Sequence, residues 1–230
     1  MRVFLLSVLA LAVVAPAEDL IYDDFEDGMA DGWLEMPSGA TYEVVDGRYH
    51  FLHSASDSVA ASALTSDGTG GMSVASYSIR VQIEIEYGDL AGVAARYDYV
   101  DDSGYTLLLL TEGGGTLAVA RFDQGAMELL AFTLTPVAYN QEYWVRFELS
   151  GSQLGAKVWT GGAGDEPEEW AITVFDSTYG GPGYAGLIAW DEDVGSTADF
   201  STWYDEFLVE DDLTLAFDSS TWGAIKSAVR

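Results

Sequence analysis

Glu142-Tyr143-Trp144-Val145-Arg146-Phe147-Glu148-Leu149, then Ser150-Gly151-Ser152-Gln153, then Leu154-Gly155-Ala156-Lys157-Val158-Trp159, is the stretch that decides the fold. Two alternating runs flank a Ser/Gly-rich break, the signature of a β-hairpin. In the first run Tyr143, Val145, Phe147 and Leu149 point one way, and Trp144, Arg146 and Glu148 point the other, because side chains alternate across a strand. A Gly-rich loop follows, and Glu166-Pro167-Glu168-Glu169-Trp170 opens a further apolar run to Phe175.

The same grammar extends in both directions. Leu20 to Phe25 reads as a first strand closed by Glu26-Asp27-Gly28. Tyr42–Val45 and Arg48–Leu52 flank Asp46-Gly47, the strongest short hairpin signal. Ser54 to Gly71 is small and polar, with a loop over 68–71. Tyr77, Ile79, Val81, Ile83 and Ile85 alternate with Ser78, Arg80, Gln82, Glu84 and Glu86, giving one buried and one wet face. Ala91–Tyr99 is a strand, followed by the turn Asp101-Asp102-Ser103-Gly104. Tyr105–Leu110 is continuously apolar and predicts a strand covered on both faces. After the Gly113–Gly115 turn, Thr116–Phe122 and Met127–Thr133 pair across Asp123-Gln124-Gly125. Trp170–Phe175, Tyr184–Trp190 and Ser201–Val209 complete about a dozen strands at spacings near ten residues. The arithmetic predicts an all-β, two-sheet antiparallel jelly roll. No repeat of about forty residues supports a propeller.

The order YWVRFEL, turn, AKVW, loop, EPxxW, strand, together with the Asp23-Asp24-Phe25-Glu26-Asp27-Gly28…Gly32-Trp33 opening, resembles the concanavalin A-like lectin/glucanase (laminin-G-like) jelly rolls of secreted bacterial proteins. The resemblance covers about Leu20 to Val209. It implies calcium between the first and last strands, with Asp24, Glu26 and Asp205 as ligands and Gly47 as a carbonyl donor. The fold also houses laminarinase-like hydrolases, whose E-x-D-x-E strand projects carboxylates into one cleft. Here the nearest match, Glu84-Ile85-Glu86, lacks the middle aspartate and the third carboxylate. Keto-sugar hydrolase-like jelly rolls are similar too, but Ala94-Ala95-Arg96-Tyr97 stands where they carry Asn-Ser-Gly before an arginine strand.

The chain has 230 residues, 49% of them hydrophobic, and a formal charge of −29 from 38 acidic and 9 basic residues. Such a charge repels nucleic acid and anionic lipid and favours cations. Arg2, the apolar Val3–Val14 run and Ala15-Pro16-Ala17 read as a signal peptide cleaved after Ala17. The expected organisation is a signal peptide over 1–17, a β-sandwich over 18–212, and a tail over 213–230. That tail holds a short helix from Trp222, capped within Asp218–Thr221. The expected address is secreted or cell surface. There is no cysteine, so thiol catalysis and cysteine-based metal sites are excluded. His50 and His53, three apart on a strand, face opposite ways and read as surface or half-buried residues. No G-x-S-x-G elbow is present.

Carbohydrate recognition needs aromatic faces for stacking and polar groups for hydroxyls. Seven Trp and thirteen Tyr supply the former. Tyr97, Tyr99 and Tyr105 surround an Asp-rich turn, Trp144 faces away from its strand's apolar side, and Trp159 and Trp190 close strands near loops. The other reading is that these rings fill the sandwich. The leading expectation is a non-catalytic module for a polysaccharide or a cell-surface glycan or protein, stabilised by calcium. The alternatives are a glycan hydrolase with a degenerate motif and a structural or adhesive surface protein.

Overall fold

The computed structural model describes residues 19–54, 60–68, 70–191 and 199–211. The expected signal peptide and C-terminal helix lie outside them. Two antiparallel sheets face each other. The first holds eight strands. In spatial order these are β13 (Ile172–Phe175), β12 (Gln153–Trp159), β11 (Glu142–Ser150), β6 (Tyr77–Tyr87), β15 (Phe200–Glu210), β4 (Arg48–His53) and β3 (Thr41–Val45), with β1 (Asp19–Asp23) beside the far half of β15. The second has seven, in the order β10 (Ala126–Leu134), β9 (Thr116–Asp123), β8 (Ser103–Leu110), β7 (Leu90–Asp98), β14 (Tyr184–Trp190), β5 (Ala60–Thr65) and β2 (Leu34–Glu35).

The organising hairpin forms as its pattern predicts, with Ser150 opposite Gln153 across a turn in which Gly151 takes φ 59°. Asp46 and Gly47 both adopt positive φ, matching a two-residue hairpin turn to the twist of β3 and β4. The inward set of β6, Tyr77, Ile79, Val81, Ile83 and Ile85, is buried against Val93, Leu107, Leu117 and Leu187 of the facing sheet. Each such side chain contributes about 1.5–3 kcal/mol by leaving water.

The two outer faces differ in kind. That of the first sheet is charged and interlocked: Arg146 pairs with Glu148, Glu166 and Glu210, and Lys157 with Glu166 at 2.7 Å while lying over the Trp170 ring. That of the second sheet is apolar. Leu90, Leu108, Ala118, Ala120 and Ile188 form a cluster of their own, turned away from the main core. Leu108 therefore points opposite to Leu107 and Leu109, as the continuous run Tyr105–Leu110 requires.

Three expectations change. Residues 60–65, read with the polar stretch, form a strand paired with β14 and β2. It lies close against β14: a Cβ on Gly186 would come 2.5 Å from the Ala63 carbonyl oxygen. The run from Trp170 becomes a strand only at Ile172. His50 and His53 are buried rather than surface residues, His50 lying flat on Trp203 with ring centroids 3.8 Å apart.

Candidate ligand-binding site

At one end of the sandwich two turns, β7–β8 and β9–β10, separate a pair of recesses. The first, about 390 Å³, opens on the apolar outer face of the second sheet. Tyr97, Tyr99, Phe122, Ile188 and Trp190 wall it, with Ser62 and Asp102 as its polar groups. The second, about 430 Å³, lies beyond the same turns and is polar, lined by Asp98, Asp101, Ser103, Asp123, Gln124 and Tyr179 among others.

A β-bulge builds this end. The register of β7 against β8 shifts between Ala95 and Asp98, and Arg96 within the bulge takes φ 48°. The bulge re-aims two side chains. Arg96 turns to the sandwich edge, where its Nε donates to the Ala75 carbonyl at 2.6 Å and its Nη1 to the carbonyls of Gly151 and Tyr179 at 2.8 and 2.9 Å. It thereby ties the β5–β6 connection, the β11–β12 turn and the β13–β14 loop together. Burial pulls the guanidinium pKa down from its ordinary value, and the three carbonyl acceptors supply the solvation it loses. Tyr97 turns outward into the aromatic recess. Its ring crosses Gly104, where a Cβ would come within 2.8 Å of it. Its hydroxyl donates to Asp102, and burial together with that bond holds the phenol protonated. Tyr99 is braced edge-on against Tyr184, centroids 5.4 Å apart.

Of the six aromatic residues expected to bind a ligand, the structure brings Tyr97, Tyr99 and Trp190 together in this recess. Tyr105 is elsewhere: it is fully buried in the main core, its hydroxyl donates to Asp176 at 2.6 Å, and burial, then that bond, pushes its pKa up to about 12. Trp144 and Trp159 stack on each other on the outer face of the first sheet, 6.2 Å and 14° apart. Their indole N–H groups donate to the carbonyls of Gly161 and Gly162. Phe122, Asp102, Ser62 and Tyr179 were not singled out from sequence. The turn chemistry around Asp101-Asp102 and Asp123-Gln124-Gly125 was the available signal, since loop tips commonly carry binding groups.

The expected calcium ligands are partly gathered. The Glu26 carboxyl packs against Gly47, 2.9 Å from where a Cβ would stand. Asp205 feels the charge of Glu26 and Glu206, and burial first, then those neighbours, raise its pKa above the ordinary carboxylate value. Asp24 is turned to its own loop, accepting from the Glu26 amide at 3.3 Å. Among the described residues no three acidic or histidine side chains converge closely enough to hold a metal ion. The set does not close a coordination sphere of six to eight oxygens.

The carboxylates of the degenerate motif are engaged. Glu84 pairs with Arg48 at 2.8 Å, and Glu86 accepts from Ser201 Oγ at 2.5 Å. Ser201 also lies 2.8 Å from His50 Nε2, whose Nδ1 is 3.2 Å from Glu43. The order Glu–His–Ser has the outline of a triad, but Ser201 is 1% exposed and its proton goes to Glu86. It presents no nucleophile to a substrate.

No protein-family description matches the chain, and no curated protein matches it. Solved structures do. A carbohydrate-binding module, CBM66 from Bacillus subtilis, aligns with a TM-score of 0.59 at 17% identity over 78% of this chain and 95% of that one. A prokaryotic β-1,3-1,4-glucanase (lichenase) from a mouse hindgut metagenome gives 0.59 at 12%, over 84% and 99%. The fold is the concanavalin A-like jelly roll. The exoplasmic/lumenal domain of VIP36, solved with Ca2+ and Man3GlcNAc, shares it with a TM-score of 0.58 at 11% identity over 89% and 94%. At these identities the likeness establishes the jelly roll and nothing finer.

Proposed function

We propose that this chain is an exported, non-catalytic module that binds carbohydrate, either a polysaccharide or a cell-surface glycan, in the aromatic recess. The observation that carries the reading is the convergence of Tyr97, Tyr99 and Trp190 with Asp102 and Ser62 around one opening of sugar size. Aromatic faces take the apolar C–H faces of a pyranose, and a few placed polar groups take its hydroxyls. Structures of the same fold include a carbohydrate-binding module and a lectin domain solved with a glycan, which supports the reading. Export rests on the Arg2–Ala17 pattern. A glycanase also shares the fold, but here Glu84, Glu86 and Ser201 are tied to protein partners, which favours binding over hydrolysis. Calcium accompanies the VIP36 structure, but here Glu26 and Asp205 fall short of a coordination sphere, so carbohydrate binding is proposed without it.

The test is thermal melting of the chain with soluble polysaccharides, with calcium and with EDTA. A ligand that binds only the folded form raises the melting temperature. A rise with a glycan that is lost in Trp190→Ala supports the proposal. Reducing sugar released from that glycan would replace it with the hydrolase reading. No rise with any glycan removes it.

A further inference from the structure

Resting on the proposed glycan site, we infer its ligand class: uncharged, donor-rich glycans bind, and uronate- or sulfate-bearing glycans are excluded. The inference follows from the hydrogen-bond inventory of the two recesses that flank the β7–β8 and β9–β10 turns. Three of their side-chain hydroxyls are turned inward. Tyr97 donates to Asp102, Tyr179 to Asp123 at 3.2 Å, and Ser103 to the Asp101 carbonyl at 3.0 Å. Their acceptors are not used up. Asp98 accepts two amides on Oδ1 and Asp123 the Tyr179 hydroxyl on Oδ1, so each keeps an oxygen for a ligand. Asp101 projects its carboxylate from the exposed turn between them.

Among the described lining residues Arg96 is the sole cation. It is 4% exposed, its Nε and Nη1 are held by main-chain carbonyls, and its Nη2 is shut off from solvent. An arginine so placed offers nothing to a ligand carboxylate or sulfate. An anionic sugar therefore meets aspartates with no accessible guanidinium to answer it. A sugar carboxylate about 4 Å from one aspartate loses about fivefold in affinity even at the dielectric of water. The formal charge of −29 adds a long-range penalty on approach. Hydroxyls of a neutral glycan, by contrast, donate to the open aspartate oxygens of the polar recess while another of its rings rests on Trp190 or Tyr99 in the aromatic one.

The experiment is affinity electrophoresis of the full chain in gels containing neutral polysaccharides (laminarin, galactomannan, dextran) or anionic ones (polygalacturonate, alginate). The expected result is retardation by at least one neutral polymer, changing less than twofold between low salt and 0.3 M NaCl (about physiological screening or beyond), and none by either anionic polymer. Asp101→Asn and Asp123→Asn, both at exposed turn positions, should each weaken the neutral ligand about fivefold and together begin to admit polygalacturonate. Binding of polygalacturonate by the unaltered chain as tightly as any neutral polymer overturns this inference and leaves the glycan site standing. Retardation by no polymer overturns the glycan site itself.

Discussion

Removing the Arg96 side chain tests whether one buried guanidinium assembles this end of the sandwich. Arg96→Ala deletes three short hydrogen bonds, at 2.6, 2.8 and 2.9 Å, from one charged group to three main-chain carbonyls. Bonds from a charged donor contribute about 1.5–3 kcal/mol each. The carbonyls of Ala75, Gly151 and Tyr179 belong to exposed or half-exposed residues and can be rehydrated, so the low end applies. The expected loss is about 4.5 kcal/mol, which in a chain of this size lowers the melting temperature by about 9–18 °C. The backbone adds an internal control. Arg96 sits at φ 48°, a left-handed conformation that costs a non-glycine residue about 1 kcal/mol or more. Arg96→Gly should therefore melt about 2–4 °C above Arg96→Ala, reversing the usual order in a strand. Arg96→Lys keeps the charge but cannot span three acceptors, and should recover less than half of the loss. Melts followed by near-ultraviolet circular dichroism read all four proteins. Arg96→Ala melting within about 2 °C of the unaltered chain, or Gly melting below Ala, would refute the reasoning.

Three further outcomes are expected. Trp190→Ala and Tyr99→Ala should each weaken glycan binding by about tenfold or more, since each removes a stacking face, with melting changed by less than about 3 °C; titration calorimetry on the glycan found by melting checks this. Asp205 has its pKa raised by burial, so the folded chain holds its proton more tightly than the unfolded one. Stability at this site is greatest at low pH and falls as pH rises from the ordinary carboxylate range through the raised value. Asp205→Asn should accordingly raise the melting temperature at pH 7 and flatten its fall as pH rises above the ordinary carboxylate range. Gly92→Ala should prevent folding, because its Cβ would lie 1.9 Å from the Leu107 carbonyl oxygen in the middle of the second sheet; soluble yield and circular dichroism decide that.

Most strands were legible because their signals are local. Asp46-Gly47 demands positive φ and receives it, and β6 alternates strictly because one face meets the core and the other water. Strand β5 was illegible for the converse reason. Ala60-Ala61-Ser62-Ala63 carries little hydrophobic contrast, and its placement depends on Gly186 of a strand more than a hundred residues away. The aromatic recess was half legible. Tyr97, Tyr99 and Trp190 stand near turns, and that proximity was visible. Tyr105 shares the neighbourhood in sequence, but the bulge at Arg96 offsets β7 against β8, and Tyr105 falls on the inward face of an otherwise uninterrupted strand. A bulge leaves no compositional mark, so the side of the sheet on which each tyrosine lies is a tertiary fact.

The outer face of the first sheet and the Arg96 end use their polar groups in opposite ways. Catalysis by paired carboxylates requires groups whose protons are free to move to a substrate. On the first sheet Glu84 is held by Arg48, Glu86 by Ser201, and Arg146 by its acidic neighbours, so that face uses its charge to bind strands β4, β6, β11 and β15 to one another. The opposite arrangement holds at the Arg96 end. There the cation is buried on main-chain carbonyls, the aspartates keep open oxygens, and the rings face out of the sheet. Polar groups that have answered one another inside the protein contribute rigidity. Only those left unanswered at an opening are available to a ligand, and here they are the aspartate oxygens of the polar recess, across the turns from the aromatic one.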